Sequence, residues 1–237
     1  REGRTMRGFC GRGFWVVFAS AVLANSVSLE NAGWAEDKPA KELNVPPDGF
    51  TALFNGKDLD GWIGDTKNCR VENGILITPK EGSGNLYTEK QYANFELRFD
   101  FQLQPGGNNG VGLRCEKDKQ ATYYGMEIQI LDDTHPMYAN LKPYQAHGSI
   151  YGVVPAKKGF LKPVGEWNSE TITANGSRIT VTLNGTVIVD ADLETAGKPQ
   201  TIDGREHPGL FNTTGHVAFL GHGHELRFRN VFLKELD

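Results

Sequence analysis

Residues 95–103 read FELRFDFQL, so that large apolar side chains alternate with polar ones over nine consecutive residues. Because successive side chains of a β-strand point to opposite faces, this pattern predicts a strand with one buried and one polar side. The same period recurs in Met126–Ile130, in Ile179–Leu183 and in the tail from Leu226. Helical periodicity is almost absent, and only residues 88–92 are expected to form a helical turn.

Turn signals separate these strands. Asn184 and Gly185 stand between two alternating runs and predict a type I′ hairpin, which requires positive φ at both central residues. The terminal run changes phase at Asn230, which predicts a β-bulge. Many short strands divided by Gly, Pro and Asn favour an all-β fold in which two antiparallel sheets pack as a sandwich.

The composition excludes several classes of protein. The chain has 237 residues, of which 38% are hydrophobic and 23% charged, a balance that does not fit a disordered or coiled-coil protein. A net charge of −4 and the lack of a basic run interleaved with aromatics argue against a nucleic-acid partner. Three cysteines are too few for a disulfide framework, and pairing of Cys69 with Cys115 stays open.

The N-terminal region is typical of a secretory signal. Met6, a candidate start, opens a basic segment that leads into the apolar run FWVVFASAVL (14–23), and Gly33 and Ala35 suit a cleavage site. We expect residues 1–35 to be a signal peptide, with an uncleaved anchor as the alternative, and the product to be secreted or periplasmic. Residues 36–48 are charged and Pro-rich and are expected to form a linker, followed by one domain over residues 49–237.

The chain resembles the DUF1080 family, also called the 3-keto-disaccharide hydrolase domain, over roughly residues 49–236. The motifs that carry the resemblance include Leu53–Leu59 (LFNGKDL), Gly106–Arg114 (GGNNGVGLR), Gly125–Asp133 (GMEIQILDD), His147–Gly152 (HGSIYG) and Gly221–Gly223 (GHG). The resemblance implies a concanavalin A-like jelly roll exported by a bacterium. It also implies cleavage of glycosides whose sugar is oxidised to a ketone at C3.

That chemistry differs from ordinary glycoside hydrolysis. A ketone at C3 acidifies the C2 proton, so a base can remove this proton, the group on C1 can leave, and water can add to the product. Such a site needs one base and one group that stabilises an oxyanion. An ordinary glycosidase needs two carboxyl groups, about 5–5.5 Å apart for retention or about 6.5–9.5 Å apart for inversion.

Glu127 is the first candidate for a catalytic residue, as general base or metal ligand. It shares a strand face with Gln129, and the next acid on that face, Asp133, is six residues and about 20 Å further along. A single acid fits elimination better than hydrolysis by two carboxylates. His147 is the second candidate, because an imidazole titrates near neutral pH. We expect the two to face each other across a trough, with the roles of base and electrophile left open; the alternatives are a solvated strand acid and a loop histidine.

Six residues are candidates for substrate binding. Glycines around Asn109 and Arg114 permit close approach of a ligand, although a salt bridge would also explain the arginine. Trp167 can stack on a sugar ring or fill the core. The other three are Gln129, Tyr151 and His222. His222 and His224 share a side of an extended strand, so a divalent cation stays an open possibility and no cofactor is certain.

Two functions from different classes follow. The first is an exported enzyme that cleaves 3-keto-glycosides by elimination and hydration. The second is a carbohydrate-binding β-sandwich without turnover, which needs only a polar concave face. In both cases the partner is a carbohydrate, and the sequence predicts no membrane contact beyond the signal peptide. An ordinary glycosidase is a weaker third reading, and the oligomeric state is open.

Overall fold

The structure is a computed structural model that describes residues 43–81 and 84–237. The expected signal peptide and most of the expected linker lie outside these residues. The strands are β1 (Thr51–Ala52), β2 (Trp62–Gly64), β3 (Arg70–Glu72), β4 (Ile75–Ile77), β5 (Leu86–Tyr92), β6 (Phe95–Gln102), β7 (Asn108–Cys115), β8 (Met126–Leu131), β9 (Trp167–Asn175), β10 (Arg178–Leu183), β11 (Thr186–Asp192), β12 (Gly215–Gly221) and β13 (Arg227–Glu235). The described helices are short: α1 (Leu193–Ala196) and 3-10 turns at Pro136–Tyr138 and Pro143–Gln145.

The strands form two antiparallel sheets. The larger sheet has the order β11-β10-β9-β6-β13-β4-β3, with β1 also paired to β13, and the smaller has the order β2-β5-β12-β7-β8. None of the helices in the described part of the chain is long and apolar enough to span a bilayer.

The core lies between the sheets and is built from the apolar halves of the alternating strands. Phe95, Leu97, Phe99 and Phe101 of β6 are all at most 2% exposed. From the other sheet, Phe219 stacks on Phe228 with ring centroids 4.0 Å apart. Each buried ring contributes about 1.5–3 kcal/mol of transfer free energy, so this face of β6 anchors the sandwich.

The local predictions have mixed outcomes. Asn184 and Gly185 have φ of 50° and 84° between β10 and β11, which confirms the predicted hairpin. The bulge at Asn230 is confirmed by its φ of 53° and by the register shift between Arg229 and Phe232. The expected helical turn at residues 88–92 is wrong. These residues belong to β5, where pairing with β2 and β12 outweighs any local helical preference.

The part of the expected linker that the structure describes packs against the domain. Leu43 is 6% exposed. The side chain of Asn44 donates to the carbonyl of Gly74 at 2.8 Å, and its backbone N–H donates to the side chain of Asn230 at 2.8 Å. Ordered contacts with the sandwich therefore begin before Gly49.

The outer edge of β8 is covered by residues 147–151, which brings the HGSIYG motif beside Glu127. The carbonyl of Gln129 accepts from Gly148 at 2.7 Å, its N–H donates to Ser149 at 3.0 Å, and the carbonyl of Glu127 accepts from Tyr151 at 2.9 Å. These hydrogen bonds satisfy the exposed edge of the sheet. They also fix the position of Tyr151 relative to Glu127.

Candidate functional site

A cleft of about 350 Å³ opens on the outer face of the smaller sheet, over β7 and β8. Along β8, Met126, Ile128 and Ile130 enter the core, so the intervening side chains point into the cleft. The walls come from loops that follow β7, β8, β12 and α1. The lining residues are Asn108, Gln120, Thr122, Tyr123, Glu127, Gln129, Leu131, Tyr138, Leu141, Gln145, Tyr151, Arg205 and His222.

Glu127 is the only carboxylate among the described residues that line the cleft. It is 3% exposed, and each of its oxygens has a neighbour. The Thr122 hydroxyl donates to Oε2 at 2.6 Å, and Nε2 of His222 lies 3.3 Å from Oε1. Two side chains from different loops therefore fix the carboxylate.

The glycines of β7 make room for this carboxylate. Gly110 and Gly112 face the cleft on the strand next to β8, where Gly112 pairs with Glu127 and Gly110 with Gln129. A methyl group at Gly110 would lie 2.3 Å from Oε1 of Glu127. The Gly-rich motif thus accommodates a side chain of the protein itself.

His222 is the exposed partner of the pair, with 40% of its side chain accessible. A carboxylate oxygen accepts from an imidazole N–H, so this contact assigns the hydrogen to Nε2 and leaves the lone pair of Nδ1 free. Among the described residues, Nδ1 of His222 has no hydrogen-bond partner. The bond to Glu127 raises the pKa of His222, because the carboxylate favours the imidazolium form.

The rim of the cleft carries polar groups from three loops. The Arg205 guanidinium donates to the Tyr123 hydroxyl at 2.5 Å, and the Gln145 amide donates to the Tyr151 hydroxyl at 2.9 Å. The amides of Gln129 and Asn108 are in contact at 3.2 Å. Arg205 is the only arginine or lysine among the described lining residues.

His147 is not in the cleft, so the expectation that it faces Glu127 across a trough is wrong. It is 3% exposed, stacks on Phe101 of the core at 5.2 Å, and places Nε2 3.1 Å from the buried carboxylate of Glu170. Its Nδ1 accepts from the N–H of Leu131 at 3.2 Å. Sequence parity could not reveal this, because His147 precedes Gly148, whose φ of 74° breaks the extended geometry.

Three expected substrate-binding residues also lie outside the cleft. Arg114 is 3% exposed. Its guanidinium donates to four acceptors, none of which lines the cleft: the carbonyls of Ala93, Gly176 and Asn212 and the side-chain oxygen of Asn94. Asn109 is 1% exposed and points to the interior, on the same side of β7 as Val111. Trp167 begins β9 of the opposite sheet, where Arg229 lies over its ring at 3.9 Å.

The other three candidates for substrate binding, Gln129, Tyr151 and His222, line the cleft. The alternation of side chains along β7 could have identified Asn108 as a cleft residue in place of Asn109. Asn108 pairs with Leu131 of β8, and both lie on the cleft side of the sheet. Thr122, Tyr123 and Arg205 were missed. All three lie on loops, where no periodic pattern indicates which side chains converge.

The described residues offer no group of three or more His, Cys, Asp or Glu side chains arranged to hold a metal ion. The expected extended geometry of His222 and His224 is wrong, because Gly223 between them has a φ of 79° and β12 ends at Gly221, and His224 does not line the cleft. Cys69 and Cys115 are free thiols, and burial raises their pKa to about 11 and about 12. Neither is a thiolate nucleophile near neutral pH.

The chain is similar to known proteins both in sequence and in structure. The sequence model for the 3-keto-alpha-glucoside-1,2-lyase-like domain matches residues 49–234. A 3-keto-disaccharide hydrolase of Bacteroides thetaiotaomicron is 26% identical, over 90% of this chain and 87% of the relative. A crystal structure from Parabacteroides distasonis, provisionally assigned as a glycosyl hydrolase, is 28% identical with a TM-score of 0.73, over 83% of this chain and 100% of that one.

A more distant neighbour bears on the fold alone. The family GH16 endo-beta-1,3(4)-glucanase SCLam is 12% identical with a TM-score of 0.50, over 82% of this chain and 95% of that chain. With the two antiparallel sheets described above, this likeness confirms the predicted all-β, concanavalin A-like sandwich.

Proposed function

Since the chain belongs to the family of 3-keto-alpha-glucoside-1,2-lyase-like domains, we propose that it cleaves glycosides whose sugar carries a ketone at C3. The name of the Bacteroides thetaiotaomicron relative, a 3-keto-disaccharide hydrolase, supports a carbohydrate substrate. The proposed reaction is elimination across C1 and C2 followed by hydration.

The observation that supports this most strongly is the pairing of Glu127 with His222 in a cleft that has no second lining carboxylate among the described residues. Hydrolysis of an unmodified glycoside by the usual route needs two carboxyl groups that flank the scissile bond. Removal of an acidified C2 proton needs one base. A carboxylate bound to an imidazole provides such a base in one orientation and one tautomer.

In this proposal His222 is the base and Glu127 is the residue that orients it. Nδ1 of His222 takes the C2 proton, and the electrons of the C–H bond form an enolate whose charge lies on the C3 oxygen. Return of that charge expels the C1 substituent, forms the C1–C2 double bond and restores the ketone. The imidazolium gives the proton to the leaving oxygen. Water then adds at C1, and C2 regains a proton.

The remaining polar groups of the cleft are suited to sugar hydroxyls. Asn108 and Gln129 present amides beside Glu127, and Tyr151 presents a hydroxyl bound by Gln145. Amides and hydroxyls both donate and accept hydrogen bonds, as sugar hydroxyls do. We propose these residues as the ones that orient the ring with C2 toward His222.

We also propose that the protein acts outside the cytoplasm. The support is sequence alone: a basic segment, the apolar run at residues 14–23 and small residues before Glu36. A mature chain that begins at Glu36 in the exported fraction of a bacterial host is the expected result. A chain retained with residues 1–35 in the cytoplasm would contradict it.

Substrate comparison tests the proposed function. Purified protein is incubated with a 3-keto-glucoside and with the unoxidised parent, and release of the aglycone is measured for wild type and His222→Gln. Arg178→Ala is the control, because Arg178 lies on β10 and is exposed in an ion pair with Asp190. We expect release from the keto sugar alone, lost in His222→Gln and retained in the control. Binding without release would indicate a carbohydrate-binding module, and attack on the parent would indicate an ordinary glycosidase.

A further inference from the structure

Arg205 reaches the cleft from the loop that follows α1, far along the chain from the motifs around Glu127. Its guanidinium donates to the hydroxyl of Tyr123 at 2.5 Å. Tyr123 directly follows Thr122, whose own hydroxyl binds Glu127. One short loop between β7 and β8 therefore holds both the carboxylate and the arginine in place.

The Arg205 loop is anchored by a buried acid and histidine. Nε2 of His207 lies 3.1 Å from Oδ2 of Asp203, and their side chains are 2% and 4% exposed. Asp203 also accepts from the backbone N–H of Arg205 at 3.0 Å.

Two backbone hydrogen bonds join this loop to the walls of the cleft. The N–H of Asp203 donates to Gly152 at 3.2 Å, and the N–H of Gly209 donates to Tyr123 at 2.8 Å. Gly152 and Tyr123 belong to the two segments that carry Tyr151 and Thr122. Although the Arg205 side chain is exposed, its backbone is thus fixed at both cleft walls.

The elimination proposed above needs positive charge where the enolate forms. When His222 acts as the base it starts neutral, so it offers no charge to the C3 oxygen at that moment. Arg205 is the only permanent cation among the described lining residues. A guanidinium stays charged at every pH of interest and presents its N–H groups in a fixed plane.

We infer that Arg205, together with Tyr123, is the oxyanion-binding element of this site; the inference rests on the proposed function. The Tyr123 hydroxyl accepts from Arg205, so its own hydrogen is available for a second acceptor. The C3 oxygen would receive one hydrogen bond from the guanidinium and one from the phenol. Both strengthen as charge moves from C2 to that oxygen, which is the condition for lowering the barrier.

Chemical rescue tests this inference. Arg205→Ala, Arg205→Lys and Tyr123→Phe are assayed for kcat and KM on a 3-keto-glucoside, with and without added guanidinium chloride below denaturing concentration. We expect kcat to fall about 100-fold in Arg205→Ala, as for loss of an oxyanion donor. We expect added guanidinium to restore part of it, and Lys to retain more than Ala. Arg178→Ala, the exposed control on β10, should keep its activity and show no rescue.

The outcomes separate this inference from the function on which it rests. If wild type does not cleave the keto substrate, the proposed function fails and the inference fails with it. If wild type is active and Arg205→Ala keeps its kcat, or loses only affinity, then the inference alone is overturned. A fall in kcat that guanidinium does not restore, with Tyr123→Phe fully active, would also overturn it. Tyr123→Phe keeps the ring that packs on His207 at 4.9 Å, so it tests the hydroxyl without removing that contact.

Discussion

At the scale of single residues, the proposed site has two groups with different roles, a buried carboxylate that orients and an exposed imidazole that accepts the proton. Glu127 is 3% exposed, and its two oxygens are engaged by Thr122 and His222, so the carboxylate itself has little access to a bound substrate. His222 is accessible from the cleft and keeps Nδ1 free. The carboxylate therefore acts through the imidazole by fixing its tautomer and raising its pKa.

This arrangement predicts a shift in the pH profile of Glu127→Gln. The neutral form of His222 is the active base, so kcat/KM rises as pH increases through the pKa of His222, which Glu127 raises. Removal of the charge moves this rising limb to lower pH, and loss of orientation lowers the plateau by about 100- to 10,000-fold. Initial rates from pH 5 to pH 9 measure both effects. A limb that stays in place would mean that Glu127 does not set the pKa of the base.

Gly110→Ala tests the space that holds the carboxylate. The new methyl group would lie 2.3 Å from Oε1 of Glu127 and displace it from His222. We expect kcat/KM to fall about 100-fold or more and the free energy of unfolding to fall by about 1–3 kcal/mol, because the methyl group also meets Cγ and Cδ of this buried side chain at 2.8 and 2.9 Å.

Gly185→Ala is the matched control for this change. Gly185 has a φ of 84° in the β10–β11 hairpin, and nothing lies within 4 Å of an added methyl group. Backbone strain should lower stability by about 1–2 kcal/mol and leave activity intact. An active Gly110→Ala variant would show that the position of Glu127 is not critical.

Residues on the strands of the site were predictable from sequence, whereas the contacts made by residues on its loops were not. Alternation along β8 places Glu127 and Gln129 on the polar face without knowledge of the fold. Their partner His222 is 95 positions away, and only tertiary structure brings it to the carboxylate. His147 was misassigned because a residue before a left-handed glycine has no fixed parity with the strand beside it.

At the scale of elements, the segment at residues 147–151 acts as a short extra strand on the edge of β8. His147 adds one more hydrogen bond to this edge through its side chain. Its Nδ1 accepts from the N–H of Leu131, in the place that a backbone carbonyl takes in a regular strand pair. Its Nε2 meets Glu170 of β9 in the opposite sheet at 3.1 Å. This imidazole therefore joins the edge that carries Glu127 to the larger sheet.

Glu170→Ala should measure the strength of this connection. Removal of the carboxylate takes away the nearest charged neighbour of the buried His147 imidazole and leaves a cavity beside it, and we expect the free energy of unfolding to fall by about 3 kcal/mol. Urea denaturation of Glu170→Ala and of Asp190→Ala gives the comparison, because Asp190 forms an exposed ion pair with Arg178 and should matter little. Equal effects of the two substitutions would show that the buried pair does not brace the edge.

The strands were predictable from sequence where apolar residues alternate with polar ones, because one face of the strand packs on the core. β6, β8 and β10 follow from alternation, and the Asn184–Gly185 turn follows from its need for positive φ. β5 was missed because its polar sequence EKQ at residues 89–91 hides a strand that is defined by its pairing with β2 and β12. Loops were beyond prediction, since their course depends on what they pack against.

At the scale of the whole described domain, strands of the smaller sheet form the base of the cleft, and loops contribute most of the side chains around Glu127. β7 and β8 present Glu127 between glycines, and loops after β7, β12 and α1 bring Thr122, His222 and Arg205 around it. Because one scaffold can carry different sites, activity must be argued from the site and not from the fold. The proposed reaction depends on one event, the removal of the C2 proton.

The most direct measurement of that event is the fate of the hydrogen at C2. The reaction of a 3-keto-glucoside is run in deuterium oxide, and the released sugar is examined at the earliest time points by mass spectrometry. The free 3-keto sugar incubated without the protein corrects for spontaneous exchange. Elimination and hydration predict that the enzymatic product carries deuterium at C2. A product that retains its original C2 hydrogen while the aglycone is released would contradict the account.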